Sequence, residues 1–137
     1  KLKDICDYEQ LPILEMKREA RIIIEQIDII WFNKDIPISA FEIENSTNVQ
    51  TGIMRFVNLI KKEPLIASKL YIVAPDLRKN KVTSQLKNPA FIGEPLYLEK
   101  KVKYILYSDF ISFYNSVRKE MRINFSELDK IARGVLI

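Results

Sequence analysis

Two segments rich in Ile and aromatic residues constrain the fold most: Ile27-Asp28-Ile29-Ile30-Trp31-Phe32 and Ile38-Ser39-Ala40-Phe41-Glu42-Ile43-Glu44-Asn45. Such residues favour strands. The link between them, Asn33-Lys34-Asp35-Ile36-Pro37, is short and turn-like, so the pair reads as a β-hairpin. With Asp35 at the centre of the turn, symmetric pairing sets Phe32 opposite Ile38, Ile30 opposite Ala40 and Asp28 opposite Glu42. Glu44 shares the face of Glu42, because strand side chains alternate with period 2. Three carboxylates then converge on one patch of a mostly apolar hairpin. Facing like charges destabilise a sheet, and a cation between them removes the conflict. Hard oxygen ligands suit Mg²⁺ or Mn²⁺. The competing reading has these carboxylates facing solvent, and a one-residue bulge would turn Asp28 to the other face.

The rest of the composition narrows the chemistry. Histidine is absent and Cys6 is the single cysteine. That excludes Ser/His/Asp and Cys/His catalysis, His-ligated zinc, thiolate clusters and an internal disulfide. Any catalysis must use carboxylates, lysines, metals or hydroxyls. The 137 residues are 47% hydrophobic and 29% charged, as expected of one globular domain with its own core. No apolar run reaches the length of a membrane span and no signal peptide is visible, so a cytoplasmic, non-membrane protein is expected. The chain starts at Lys1, and residues 1–137 read as a fragment or C-terminal domain of a longer protein. Heavy use of Ile, Lys and Asn fits an A+T-rich microbial coding sequence.

Along the chain, residues 9–20 hold good helix formers. The first strand is expected from Ile22 or Ile23 to Phe32, and the second from Ile38 to Asn45. Ser46-Thr47-Asn48 offers N-cap candidates. Behind it Val49, Ile53, Phe56, Val57 and Ile60 recur at helical spacing, with Gln50, Thr51, Arg55, Asn58 and Lys61 on the other side. Glu63-Pro64 ends that helix. Leu70–Ala74 reads as a buried strand and 77–87 as a basic helix; 90–100 is irregular. Lys103–Tyr107 is a fourth strand, followed by a helix from Phe110 to Met121 capped by Ser108 or Asp109, and by a short helix from Ser126. A hairpin feeding β-α-β units gives an α/β fold: a mixed β-sheet flanked by helices on both faces.

Asp28, then Glu42-x-Glu44 after a hairpin, then a helix, resembles the PD-(D/E)XK, or restriction endonuclease-like, nuclease superfamily. Asp28 matches the first acid and Glu42 the second. Glu44 stands where lysine is usual, as in the Glu-x-Glu variant. The run Phe41-Glu42-Ile43-Glu44-Asn45-Ser46-Thr47, with Gly52 and Arg55 following, is similar to prokaryotic restriction-endonuclease-like domains. The resemblance covers residues 22–121 at the level of architecture. It does not single out the acid that precedes the first strand; Glu9, Glu15, Glu19 and Glu25 are all in range.

The resemblance implies a Mg²⁺-dependent DNA endonuclease of restriction or repair type. Asp28, Glu42 and the Ile43 carbonyl would hold Mg²⁺ or Mn²⁺, and Glu44 would orient or deprotonate the attacking water or hold a second metal. Arg55 is a candidate to supply the charge that lysine would carry, against the alternative of a solvated helix arginine. Arg78, Lys79 and Lys81, and separately Lys100, Lys101 and Lys103, are candidates to follow a phosphate backbone, against the alternative of a solvated face. DNA is the expected partner, and homodimerisation is left open. The alternatives are a catalytically inactive relative serving DNA binding or protein assembly, and an unrelated interaction domain with incidental surface carboxylates.

Overall fold

The computed structural model describes residues 18–34, 36–45, 49–63 and 68–135. Its elements run α1 (Arg18–Ile24), β1 (Ile29–Asn33), β2 (Ile36–Ile43), α2 (Val49–Lys62), β3 (Lys69–Ala74), a 3₁₀ turn (Asp76–Arg78), α3 (Lys79–Leu86), α4 (Leu98–Lys101), β4 (Val102–Leu106), α5 (Tyr107–Glu120) and α6 (Phe125–Ile131). The four strands lie in sequence order in one sheet. β1 and β2 are antiparallel, whereas β2, β3 and β4 are parallel. The expected mixed sheet is therefore present.

Strand alternation divides the molecule into two cores. Ala40, Leu70, Ile72, Val102 and Tyr104 point to one face, where they meet Ile53, Phe56 and Ile60 of α2 and Val82 and Leu86 of α3. Phe41, Tyr71, Val73 and Ile105 point to the other, against Phe113 of α5 and Leu128 of α6. Helices thus cover both faces, which is what parallel strands with continuous apolar runs require. Trp31 lies on the α5/α6 face, packing on Phe41 and Phe125 with ring centroids 4.6 Å and 5.9 Å away.

Several expected boundaries move. Ile22, Ile23 and Ile24 belong to α1 and not to the first strand. Ala20 and Ile24, four apart, are both buried, so the Ile-rich run follows the helical period, and the chain turns before β1 begins at Ile29. Of the helix-forming stretch at 9–20, Arg18, Glu19 and Ala20 fall in α1, and residues 9–17, like the Ser46-Thr47-Asn48 cap, lie outside the described residues. β2 starts at Ile36 and ends at Ile43, two residues earlier than expected at each end. Ile30 does face Ala40, but an irregularity between Trp31 and Phe32 sets Phe32 opposite Pro37 and not Ile38. Within 90–100 a short helix, α4, begins at Leu98 and runs on to Lys101. Helix α5 starts at Tyr107 without a side-chain cap. Ser108 instead donates its backbone N–H and its hydroxyl to Asp76. That ties the start of α5 to the turn after β3, a tertiary contact that a local capping rule does not anticipate.

Candidate nuclease-type carboxylate site

The candidate site lies where β2 ends, on the α2 face of the sheet. Ile29 faces Phe41, which leaves Asp28 just beyond the paired part of β1, level with Glu42. The Asp28 carboxylate accepts the backbone N–H of Ile43 through Oδ2 at 2.8 Å. Asp28 therefore closes the hairpin ladder with its side chain. Ile43 is thereby joined to Asp28 through its amide.

Glu42 is almost fully buried, at 1% exposure, because it projects from a central strand beneath α2. Its Oε2 accepts from Nη1 of Arg55 at 2.9 Å. The same nitrogen lies 3.5 Å from Asp28 Oδ1. Asp28 and Glu42 do share one cation, and in this structure that cation is a guanidinium. Arg55 is thus paired with both acids and not merely solvated. Glu42 Oε1 is buried with no hydrogen-bond partner, alone in this among the described residues. Burial, reinforced by the charge of Asp28, pushes the Glu42 carboxyl up to about 7, although Arg55 pulls the other way.

Glu44 is also buried, at 5% exposure. Its backbone N–H donates to the Val73 carbonyl at 2.8 Å and its carbonyl accepts from the Tyr107 hydroxyl at 3.0 Å. Burial raises its carboxyl above the usual carboxylate range, while the Gly52 N–H, Arg55 and Arg78 oppose that rise. Gly52 makes the arrangement fit. A Cβ at this position would overlap Glu44 Oε1 and stand 3.0 Å from Glu42 Cβ. Gly52 and Arg55 are three apart on α2, so one helix face supplies both the space for Glu44 and the counter-charge for Glu42. The sequence places both residues after the Glu-x-Glu run, but gives no sign that the glycine is needed for room. Beside them Gln26, Gln50, Thr51, Met54, Arg55 and Asn58 line a shallow groove.

Among the described residues, no three His, Cys, Asp or Glu side chains form a ready-made metal cage. Of the expected nucleic-acid-binding residues, Arg78 is close enough to influence Glu44, whereas Lys79 and Lys81 are exposed on α3. Of the candidate preceding acids, Glu25 pairs with Arg21 at 3.0 Å and Glu19 is exposed on α1. Glu9 and Glu15 lie outside the described residues.

A family model described as the type II restriction enzyme NmeDI C-terminal domain matches residues 3–134. The chain belongs to this family. No curated protein and no solved structure matches it. Membership ties the domain to type II restriction enzymes, and so to DNA. Among the described residues no helix is long and apolar enough to cross a membrane.

Two outcomes follow from this geometry. Gly52→Ala gains helix propensity but crowds two buried acids, so a net loss of roughly 1–3 kcal/mol is expected in urea unfolding. For Glu42, a carboxyl pKa raised in the fold means that the folded state holds a proton longer than the unfolded chain. Its contribution to stability is complete below the unfolded value near 4.5 and is lost as pH rises to about 7. Glu42→Gln should flatten that decline, gaining on the order of 2 kcal/mol on wild type between pH 4.5 and pH 7.5. Parallel melting curves for the two proteins across this range would refute the assignment.

Proposed function

We propose that this domain is a metal-dependent DNA endonuclease module of the PD-(D/E)XK type, in its Glu-x-Glu form, working in restriction. The observation that carries the reading is the Glu42 carboxylate. It is buried, one oxygen lacks a partner, and a second buried acid lies beside it. An unsatisfied buried carboxylate oxygen costs on the order of 1–3 kcal/mol, so a core position would ordinarily hold an apolar residue. Strongly perturbed acids in a cleft are commonly functional.

The donor set suits a divalent cation. The orphaned Glu42 Oε1 is an acceptor without a donor, and Asp28 and Glu42 already bring oxygens to one nitrogen of Arg55. Bound by Asp28 and Glu42, with the Ile43 carbonyl as third ligand, Mg²⁺ or Mn²⁺ would lower the pKa of a water and offset charge on a phosphate oxygen. The chain's own groups do the rest. Glu44, held at its backbone by Val73 and Tyr107, has a fixed place from which to accept a proton from the attacking water. Arg55 partly balances Asp28 and Glu42 in the resting site, and once released from them it supplies positive charge for the phosphate. Arg78, with Lys79 and Lys81 on α3, extends positive charge away from Glu44 for the DNA backbone.

A second reading is a catalytically inactive relative that uses the fold for DNA binding or assembly. It draws support from Arg55, which already balances much of the acidic charge, and from the lack of a preformed three-acid cage.

Plasmid nicking with Mg²⁺ or Mn²⁺ separates the two readings. Wild type should nick, and Asp28→Ala or Glu42→Ala should lose at least about 100-fold in rate while retaining the fold, since a lost ligand removes several kcal/mol of transition-state stabilisation. A wild type that binds DNA without cutting it supports the second reading. A further expectation concerns Arg55. Arg55→Ala removes the resident counter-charge, so the variant should melt lower without metal and show a larger Mn²⁺-induced rise in melting temperature than wild type. No Mn²⁺ response in either protein would count against the metal.

A further inference from the structure

We infer that a lysine-lined cavity at the other end of the sheet is a separate phosphate-binding pocket, which takes the backbone of nucleic acid. The cavity, of about 320 Å³, is lined by Ser68, Lys69, Leu70, Tyr71, Lys100, Lys101, Lys103 and Asp129. Four lysines thus face one aspartate. Strand register assembles the pocket. Lys69 and Tyr71 are two apart on β3, and Tyr71 is paired with Lys103 of parallel β4, so the three share one face. That face is covered by α6, which brings Asp129, while α4 delivers Lys100 and Lys101 just before β4.

The single acid is already engaged. Asp129 accepts from the Tyr71 hydroxyl at 2.9 Å and from Lys69 Nζ. These contacts, with Lys103 nearby, hold its carboxyl below the usual range. Burial and Asp129 push the Tyr71 phenol up, so it stays a donor. The C-terminal end of α6 is anchored to the sheet and to α5. Arg133, beyond the end of α6, pairs with Tyr104 of β4 through both backbone groups and reaches Asp109 of α5 at 2.7 Å. Lys100 lies over the Tyr97 ring, 4.7 Å from its centroid, which limits where its ammonium can go. Tyr71 and Lys69 are therefore oriented by Asp129, and the pocket keeps a positive excess carried by Lys100 and Lys103.

A concave site lined by four lysines and one already engaged acid suits a compact anion with several oxygens. Phosphate meets that description, and lysine serves it as a point charge. The family's tie to DNA makes a backbone phosphodiester the source. The pocket is distinct from the carboxylate site. It lies on the α6 face of the sheet, not the α2 face, and Lys69 precedes Ile72, the partner of Glu42, by three residues, roughly 10 Å along the strand at 3.3 Å per residue. A phosphate held there lies away from Glu42, so the pocket grips DNA whether or not the carboxylate site cleaves it.

The test is fluorescence anisotropy with a labelled duplex of about 20 base pairs in EDTA, so that cleavage has no part in the readout. The double variant Lys100→Glu/Lys103→Glu should bind about 10-fold or more weakly at low salt, with a salt slope smaller by about one to two. Lys61→Glu, an exposed lysine at the end of α2, is the control and should bind within about twofold of wild type, as expected for a charge away from the contact. Asp129→Asn should bind severalfold more tightly, an outcome that a damaged fold would not give. Unchanged affinity and slope in the double variant would overturn the pocket, as would an equal loss in the control. Melting with millimolar inorganic phosphate tests the source. Stabilisation by phosphate that the double variant abolishes, with DNA affinity unaffected, would assign the pocket to free phosphate and overturn the nucleic-acid assignment.

Discussion

The ion pair between Arg55 and Glu42 is the interaction around which this end of the molecule is arranged. Glu42 leaves β2 on the face that α2 covers, so its carboxylate sits under a helix and beside apolar side chains. A charge in such a place is tolerable only with a partner. Arg55 is that partner, at 2.9 Å, and it also reaches toward Asp28, which closes the end of the hairpin. The pairing is incomplete, because three carboxylates meet one guanidinium and one oxygen of Glu42 has no donor. Burial, with the charge of Asp28 added to it, raises the Glu42 carboxyl, and the residual imbalance keeps the site receptive to a further positive charge.

Helix α2 does two jobs that pull in different directions. Its Val49, Ile53, Phe56 and Ile60 seal one core of the sheet. Its Gly52 and Arg55 serve the carboxylates at the rim of that core. A glycine inside a helix costs about 1 kcal/mol relative to alanine, and here it admits the Glu44 side chain where any Cβ would collide. The helix gives up some intrinsic stability so that a polar cluster can lie against its backbone.

The two ends of the sheet are oppositely charged. Acids gather where β2 finishes, and lysines gather where β3 and β4 begin. Each set is tempered by one residue of the other sign, Arg55 among the acids and Asp129 among the lysines. Each tempering residue comes from a helix packed on the sheet, so charge balance and tertiary packing are set by the same contacts. The lysine end rests on α6, and α6 in turn on the Arg133 contacts with Tyr104 and Asp109.

The sequence alone determined the elements whose signals are local. The hairpin, the α2 stripe, the buried strand at Leu70–Ala74 and the mixed sheet all follow from periodicity and turn residues, which act over a few positions. The level placement of Asp28 with Glu42 agrees with the symmetric register, although the pairs beside the turn slip by one residue and the irregularity between Trp31 and Phe32 restores the alignment. The sequence also marked Arg55 and the lysines as candidates, but not which of them meet an acid. Where two local signals competed, the weaker reading was mistaken: Ile22–Ile24 satisfy a helix as well as a strand, and only packing against the rest of the core selects the helix. Tertiary structure decided everything that depends on residues distant in the chain. It put Arg55 between two acids, set Gly52 against the Glu44 carboxylate, sent Ser108 to Asp76 and brought Asp129 to Tyr71. None of these has a local signature, because each arises only when helices dock on strands and burial raises the free-energy cost of an unpaired charge.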